Sequence, residues 1–424
     1  MALRVIRSKI SGEVIAPPSK SYTHRAIVLG ALTGERFEVR RPLIAEDTAA
    51  TLAAVAAMGA EVGKGNNFIV VECPVLTAPR RAIDAKNSGT TLRLMSGVAA
   101  LLDGKTTITG DESLQKRPMK PLLEALRQLG AKCTGVGENE HPPVSIRGPM
   151  DKVSASLPGN VSSQFVSSLL IACPLKHTPT ELEITGKQKS RTYIDMSLRM
   201  LEKLRVEVLR KPNGFEIPGH QKPIGSSFDV PGDFSSAAFV LCAAAITGGM
   251  TTVTGLDASL PQGDSIIVDA LMKFGAEVDV DGGSVTCAAE AKQPFDFDVG
   301  DTPDLFPILG VLAAAAKGES RLTGGEHLKF KESDRISTTV KMLNDLGVKA
   351  EAREDGCVVK GTGVIRGGKV ETQMDHRIMM SATIAGLASE GGVVLDDETS
   401  HAVSYPAFLD DMERLGAIVQ RVSG

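Results

Sequence analysis

Two kinds of apolar pattern recur along the chain. Stretches such as "SSQFVSSLLIAC" (162–173), "FSSAAFVLCAAAI" (234–246) and "LFPILGVLAAAA" (305–316) read as helices. A second, amphipathic pattern ends in one repeated phrase: "AAMGAEV" (56–62), "LRQLGAKC" (126–133), "LEKLRVEV" (201–208), "LMKFGAEV" (271–278), "LNDLGVKA" (343–350) and "MERLGAIV" (412–419). In each, a helix runs to a glycine suited to the position just past its end, and an alternating strand follows at once, as in "GAEVDVDGGSV" (275–285).

Aligning the glycines, with Arg205 where glycine is replaced, gives positions 59, 130, 205, 275, 347 and 416, spaced by 71, 75, 70, 72 and 69 residues. Six units of strands and two helices, roughly βαβαββ, therefore account for the 424 residues. Units this long are not solenoid repeats. They predict an α/β protein of two domains with three units each, the chain crossing between domains at strand edges.

Composition narrows the picture. With 42% hydrophobic and 23% charged residues the chain reads as an ordinary globular protein. A net charge of −4 makes nucleic acid or an anionic membrane an unsuitable bulk partner, so any anion site must be built locally. The apolar runs fall short of the ~20 residues that span a bilayer, and "MALRVIRSKISGEV" has no signal-peptide core. Six scattered cysteines without a C-x-x-C pair fit a reducing compartment, and a cytoplasmic location is expected.

The candidate chemistry gathers at helix starts. "APPSKSYTHRA" (16–26) reads as a helix start with Ser19 or Ser21 as cap, yet it carries Lys20 and Arg25 where the helix dipole is already positive. Cations there predict an anion. "AKNSGTTLRLM" (85–95) offers Asn87, Gly89 and two threonines before a helix with Arg93, a setting for phosphate or carboxylate. "DESLQKRPMKPLLEAL" puts Lys116 and Arg117 before a proline that starts the next helix. Ser162, Ser163 and Gln164, then Ser190, Arg191 and Tyr193, begin two more helices. In the second half Asp304 precedes an apolar helix, "HLKFKESDRI" carries Lys329, Lys331, Glu332, Asp334 and Arg335, and "MDHRIMM" carries Asp375, His376 and Arg377.

Any one of these could be an ordinary cap or a solvated charged face. Their recurrence in nearly every unit favours function. If the helix starts of both domains face one interdomain cleft, the cleft holds several cations, neutral donors, and Asp304 and Glu332 as acid/base groups. Motifs for a P-loop, a dinucleotide fold, a nucleophile elbow or a metal site are lacking, so neither a metal nor a cofactor is expected.

In this order the segments "PPSKSYTHRA", "NSGTTLRL", "KRPM", "SSQF", "SRTYID", "PGDFSSAAF", "QGD", "TPD", "KESDR" and "DHR" resemble the 5-enolpyruvylshikimate-3-phosphate synthase family of enolpyruvyl transferases, nearly end to end. The resemblance implies two inside-out α/β domains, each of three βαβαββ units, with residues 1–15 and 229–424 in one and 16–228 in the other, and the active site in the interdomain cleft. It implies transfer of enolpyruvyl from phosphoenolpyruvate to the 5-hydroxyl of shikimate 3-phosphate, by addition and elimination through a tetrahedral intermediate, without a cofactor, in aromatic amino acid biosynthesis. Carried onto matching positions, Ser21 and Arg25 hold the shikimate carboxylate, and Ser162, Ser163 and Ser190, with Tyr193 nearby, its phosphate. Gln164, Asp304 and Lys331 contact the ring or its hydroxyls. Lys20, Gly89, Arg117, Gln164, Arg335 and Arg377 surround phosphoenolpyruvate, Asp304 is the base, and Glu332 and Lys20 handle the methylene proton. The resemblance also implies an open ligand-free form, a monomer, and room beside Gly89 for the inhibitor glyphosate.

The chain departs from the family pattern at four positions. Val403 stands where a lysine is common, which removes one phosphoenolpyruvate cation. His327 replaces a frequent Asn, Lys329 a frequent Arg, and Leu94 a frequent Pro. Two rival readings are a UDP-N-acetylglucosamine enolpyruvyl transferase and a polyanion-binding repeat scaffold. The first typically uses a loop cysteine, which "GDESLQKRPM" lacks. The second has no use for Asp304 and Glu332, which repel its ligand.

Overall fold

In the computed structural model, which describes residues 2–422, the repeated phrase has one conformation throughout. Gly59, Gly130, Arg205, Gly275, Gly347 and Gly416 all lie in the left-handed region, with φ from 60° at Arg205 to 113° at Gly416. The following residue donates its N–H five residues back in every copy: Ala60 to Val55, Ala131 to Leu126, Val206 to Leu201, Ala276 to Leu271, Val348 to Leu343 and Ala417 to Met412, at 2.8–3.0 Å. These bonds satisfy carbonyls that a helix end leaves open. Only Arg205 takes the turn with a side chain, at a cost of ~1–2 kcal/mol.

Among the described residues there are six four-stranded sheets, each with one parallel and two antiparallel pairings. In one of them Ser154–Pro158 runs parallel to Thr180–Thr185 with Leu157 beside Ile184, then Gly214–Ile217 and Leu209–Lys211 follow antiparallel. The chain divides into two compact units, Met1–Pro17 with Gly232–Gly424, and Pro18–Pro231. The boundaries expected at 15/16 and 228/229 lie within a few residues of these.

The Pro18–Pro231 unit carries helices α1 (Lys20–Leu32), α2 (Glu46–Ala57), α3 (Gly89–Ala99), α4 (Lys120–Gln128), α5 (Ser163–Ala172) and α6 (Arg191–Lys203). The other carries α7 (Phe234–Thr247), α8 (Ile267–Phe274), α9 (Phe306–Ala315), α10 (Arg335–Asp345), α11 (His376–Ala388) and α12 (Phe408–Arg414). Strand Ser11–Ile15, just before α1, pairs with Met250–Thr254, while Ser227–Asp229, just before α7, pairs with Phe37–Arg40. The chain thus changes unit between a strand and its helix, both times at a proline.

Odd- and even-numbered helices have different jobs. α9 is apolar all round and buried along its whole length, and α7, α9 and α11 pack on one another. In the other unit α3 packs on both α1 and α5. The even helices bury one stripe, such as Leu122, Leu123, Ala125 and Leu126 of α4.

Candidate active site

In the Pro18–Pro231 unit, Ser19 occupies the cap position of α1 but its side chain makes no capping bond, and Ser21 lies inside the helix. Lys20 Nζ pairs with Asp47 Oδ2 at 3.0 Å across to the first turn of α2. Arg25, one turn further, is 1% exposed. Its Nε donates to Ser197 Oγ at 2.8 Å, Nη1 to the Ser21 carbonyl at 3.0 Å, and Nη2 to Ser167 Oγ at 3.2 Å and the Tyr193 carbonyl at 3.1 Å. Every one of these partners is neutral, and burial lowers the guanidinium to about 10. A buried cation held without a carboxylate costs free energy that an anionic ligand can offset.

The start of α3 is capped by Ser88, whose Oγ accepts from Thr91 N at 3.1 Å. A Cβ added at Gly89 would lie 3.0 Å from Arg117 Nη1 and 3.0 Å from Arg93 Nη1, so two guanidinium groups crowd the open end of this helix. Arg117 Nη2 donates to Asn87 Oδ1 at 2.6 Å. Arg93 donates to Gln164 Oε1 at 2.5 Å and lies over the Phe165 ring, while Gln164 Nε2 donates to Thr90 Oγ1 at 2.9 Å. Gly89, Arg93, Arg117 and Gln164 therefore form one cluster. Ser162 caps α5 through Gln164 N at 3.3 Å, and Ser163 opens that helix, nearly buried. Ser190 precedes α6 in the left-handed region, φ 53°, a strained place for a serine, and Tyr193 lies in the first turn.

In the other unit the charges interlock. Asp304, just ahead of α9, accepts from Arg335 Nη1 at 2.7 Å and lies 3.6 Å from Lys331 Nζ through Oδ1, and 3.4 Å from Arg377 Nη2 through Oδ2. Glu332 Oε2 meets Arg335 Nη2 at 2.6 Å. Asp375, fully buried, accepts from Arg335 Nε at 3.0 Å, from Ser333 Oγ at 2.9 Å and from Arg377 N at 2.9 Å as the cap of α11. This carboxylate thus holds the guanidinium of Arg335 and the backbone of Arg377, whose own guanidinium reaches the Ser235 carbonyl and Asp304. Burial first, and the charge of Asp304 second, push the Asp264 carboxyl up to about 7, with Ser235 hydrogen-bonded to it.

The two sets differ in kind. The first offers cations and hydroxyls at helix starts. The second offers carboxylates already paired with arginine and lysine, groups that can exchange partners with an incoming anion and handle protons.

A family model for EPSP synthase (3-phosphoshikimate 1-carboxyvinyltransferase) matches residues 5–412. The chain belongs to this family. It is 46% identical over 420 residues to the 3-phosphoshikimate 1-carboxyvinyltransferase of Methanocorpusculum labreanum, covering 98% of this chain and 99% of that one. It is 44% identical over 432 residues to the protein of that name from Methanosarcina acetivorans, covering both completely. The solved structure of an EPSP synthase from Acinetobacter baumannii superposes with a TM-score of 0.82 at 30% identity, over 99% of this chain and 100% of that one. As an EPSP synthase, the chain transfers the enolpyruvyl group of phosphoenolpyruvate to shikimate 3-phosphate and releases phosphate, in aromatic biosynthesis.

Pro118 does not start the helix after Arg117: α4 begins at Lys120, with Pro121 in its first turn. Two prolines so close leave the start to the one whose preceding residues can adopt helical angles. "KFKES" is not a helix face, because α10 starts only at Arg335, behind its cap Asp334. All six cysteines are free and buried, and burial pushes Cys133, Cys287 and Cys357 up to about 12. Val403 ends the short turn Ser400–Val403 that leads toward α12. Among the described residues no helix is long and apolar enough to cross a membrane, and no His, Cys, Asp or Glu group could hold a metal.

Sequence reasoning did not single out Asp47 or Asp264, and it placed Asn87, Arg93 and Asp375 among the candidates without assigning them a role. A signal existed for the aspartates, since "AED", "QGD" and "MDH" all put Asp in or next to a helix's first turn.

Proposed function

We propose that the Pro18–Pro231 unit supplies most of the groups that bind the substrates' anions, joined on phosphoenolpyruvate by Arg335 and Arg377 of the other unit, and that Asp304 and Glu332, with Lys20, carry the proton transfers. Arg25 and Ser21 take the shikimate carboxylate, Ser162, Ser163 and Ser190 with Tyr193 its phosphate, and Gln164, Asp304 and Lys331 its ring hydroxyls. Lys20, Gly89, Arg117, Gln164, Arg335 and Arg377 take phosphoenolpyruvate. The observation that carries this reading is Arg25, a fully buried guanidinium held only by hydroxyls and carbonyls, with the Ser167, Ser197 and Tyr193 surroundings pre-ordered around it.

The chemistry follows from the pairing of Asp304. When the anions of phosphoenolpyruvate engage Arg335 and Arg377, Asp304 can turn to the 5-hydroxyl of shikimate 3-phosphate and take its proton. Glu332 or Lys20 delivers a proton to the methylene carbon, and the 5-oxygen bonds to C2. In the second half the C2–phosphate bond breaks, a methyl proton returns to the same acid/base pair, and the arginines stabilise the departing phosphate. The burial of every cysteine argues against the thiol chemistry typical of the nucleotide-sugar enolpyruvyl transferases. The protein acts in the cytoplasm, as a monomer.

Separate Michaelis constants test the assignment. Arg117→Ala should raise KM for phosphoenolpyruvate about tenfold or more while leaving shikimate 3-phosphate within about threefold, and Ser163→Ala should do the reverse by about fivefold. Equal changes for both substrates, or none, contradict it.

A further inference from the structure

His24 is a fully buried histidine that the reaction does not use, and it joins three helix starts. Its Nδ1 lies 2.6 Å from Thr51 Oγ1 on α2. Thr51 Oγ1 lies 2.7 Å from Thr91 Oγ1 on α3, and Thr91 Oγ1 lies 2.7 Å from Ser88 Oγ, the cap of that helix. Thr91 Oγ1 also reaches the Asp47 carbonyl at 3.3 Å. All four side chains are buried. We propose that His24, Thr51, Thr91 and Ser88 form a one-way hydrogen-bond relay that fixes the helix start carrying Gly89 against those carrying Lys20 and Asp47, and so positions the phosphoenolpyruvate side of the site.

The direction of the relay follows from counting hydrogens. Each hydroxyl has one to give. Thr91 gives its own to Ser88 Oγ, which as the cap already accepts from Thr91 N, or to the carbonyl of Asp47, an acceptor only. Thr51 must then donate to Thr91, and its remaining lone pair must accept from His24 Nδ1–H. The other ring nitrogen, Nε2, is buried without a partner. That fits only this tautomer, because a bare lone pair is easier to leave unsatisfied in a protein interior than an N–H. Reversing the chain would bury an orphan donor. The neutral ring is also the form favoured by burial and by the charges of Lys20 and Arg25 on its own helix.

The relay has no slack. Breaking its middle strands a buried donor on His24 and a buried acceptor on Thr91. α3 would then be free to shift against α1, displacing Gly89 and the guanidinium groups of Arg93 and Arg117 from Lys20. His24, Thr51 and Thr91 are positioning residues and touch no substrate. The inference rests on the assignment of Lys20, Gly89 and Arg117 to phosphoenolpyruvate.

Thr51→Val removes the hydroxyl at nearly constant shape, and Thr51→Ser restores it. Steady-state kinetics should show KM for phosphoenolpyruvate raised about tenfold in Thr51→Val, with kcat and KM for shikimate 3-phosphate within about threefold and Thr51→Ser within twofold of the parent. Arg117→Ala is measured alongside. If it raises KM for phosphoenolpyruvate and Thr51→Val does not, the relay proposal fails and the site assignment stands, even when Thr51→Val lowers the melting temperature. If neither variant raises it, both fail. Should Thr51→Val not fold, the parent protein labelled at histidine nitrogens decides, with the His24 signals identified by their loss in His24→Asn. A protonated Nδ1 with a bare Nε2, shifting when both substrates bind, supports the relay; a protonated Nε2 overturns it.

Discussion

Arg25→Met separates the binding role of this buried cation from any structural one. Lowering the guanidinium from 12.5 to about 10 corresponds to about 3 kcal/mol against the charged form in the folded chain. On the favourable side stand four N–H donations to Ser197, Ser21, Ser167 and Tyr193. Opposed terms of this kind leave the replacement of a buried ionic group by a well-packed apolar side chain often neutral or stabilising. Methionine keeps the apolar stem, and the freed hydroxyls retain partners: Ser197 Oγ remains 2.9 Å from Ser167 Oγ and 3.2 Å from the Tyr193 carbonyl. Ligand-free Arg25→Met should therefore unfold in urea within about 1 kcal/mol of the parent. Deleting one partner of a buried, paired charge instead costs ~3–5 kcal/mol. Affinity should behave differently, because a truncated buried ionic contact is worth about 2 kcal/mol or more, so calorimetric titration with shikimate 3-phosphate should weaken at least about 30-fold. A loss of 3 kcal/mol in the ligand-free protein would make Arg25 a structural group, and unchanged affinity would remove it from the site.

Arg205→Gly should stabilise the protein by ~0.5–1 kcal/mol, the left-handed strain less the entropy of glycine, and raise the melting temperature by about 2 °C; a lower midpoint contradicts the turn assigned to the third repeat. Gly89→Ala should push the guanidinium groups of Arg93 and Arg117 back by a few tenths of an ångström. KM for phosphoenolpyruvate and the inhibition constant for glyphosate should both rise, by about fivefold for each ~1 kcal/mol lost, and an unchanged KM contradicts the placement of this helix start. Burial, then the charges of Lys20 and Arg25, hold His24 well below its ordinary 6.5, so the unfolded chain takes up the proton first. Its contribution is complete above about pH 6.5 and is lost as pH falls below that value, by about 1.4 kcal/mol per pH unit. Asp264, raised to about 7, works the other way, its contribution being lost as pH rises toward 7. The unfolding free energy of the parent should therefore fall relative to that of His24→Asn by about 1 kcal/mol between pH 6.5 and 5.5, and a flat difference contradicts a neutral buried ring.

The repeat was legible because its punctuation is chemical. A helix end followed at once by a strand needs a left-handed residue, glycine supplies it at five of six places, and the even spacing located Arg205 as the sixth. The cation at the start of α1 was legible for the same reason, since Lys20 contradicts the ordinary preference for acids there. What the sequence hid were relations across the chain. Asp375 reads locally as a helix cap, and only the fold brings Arg335 against it, 40 residues earlier in the chain. Arg25 reads as a cation awaiting an anion at a helix start, but nothing local shows that its guanidinium is held by residues 142 to 172 positions away. The exchange of edge strands at Pro17 and Pro231 left no mark beyond the prolines, because strand pairing is set by partners that no local pattern names.

The most direct test is phosphate release from phosphoenolpyruvate by the purified protein, with shikimate 3-phosphate or UDP-N-acetylglucosamine offered in parallel, for the parent and for Asp304→Ala. The parent should release phosphate only with shikimate 3-phosphate, and Asp304→Ala should lose activity by at least about a hundredfold as the base is removed. Undiminished release by Asp304→Ala, or release with the nucleotide sugar, would contradict the account.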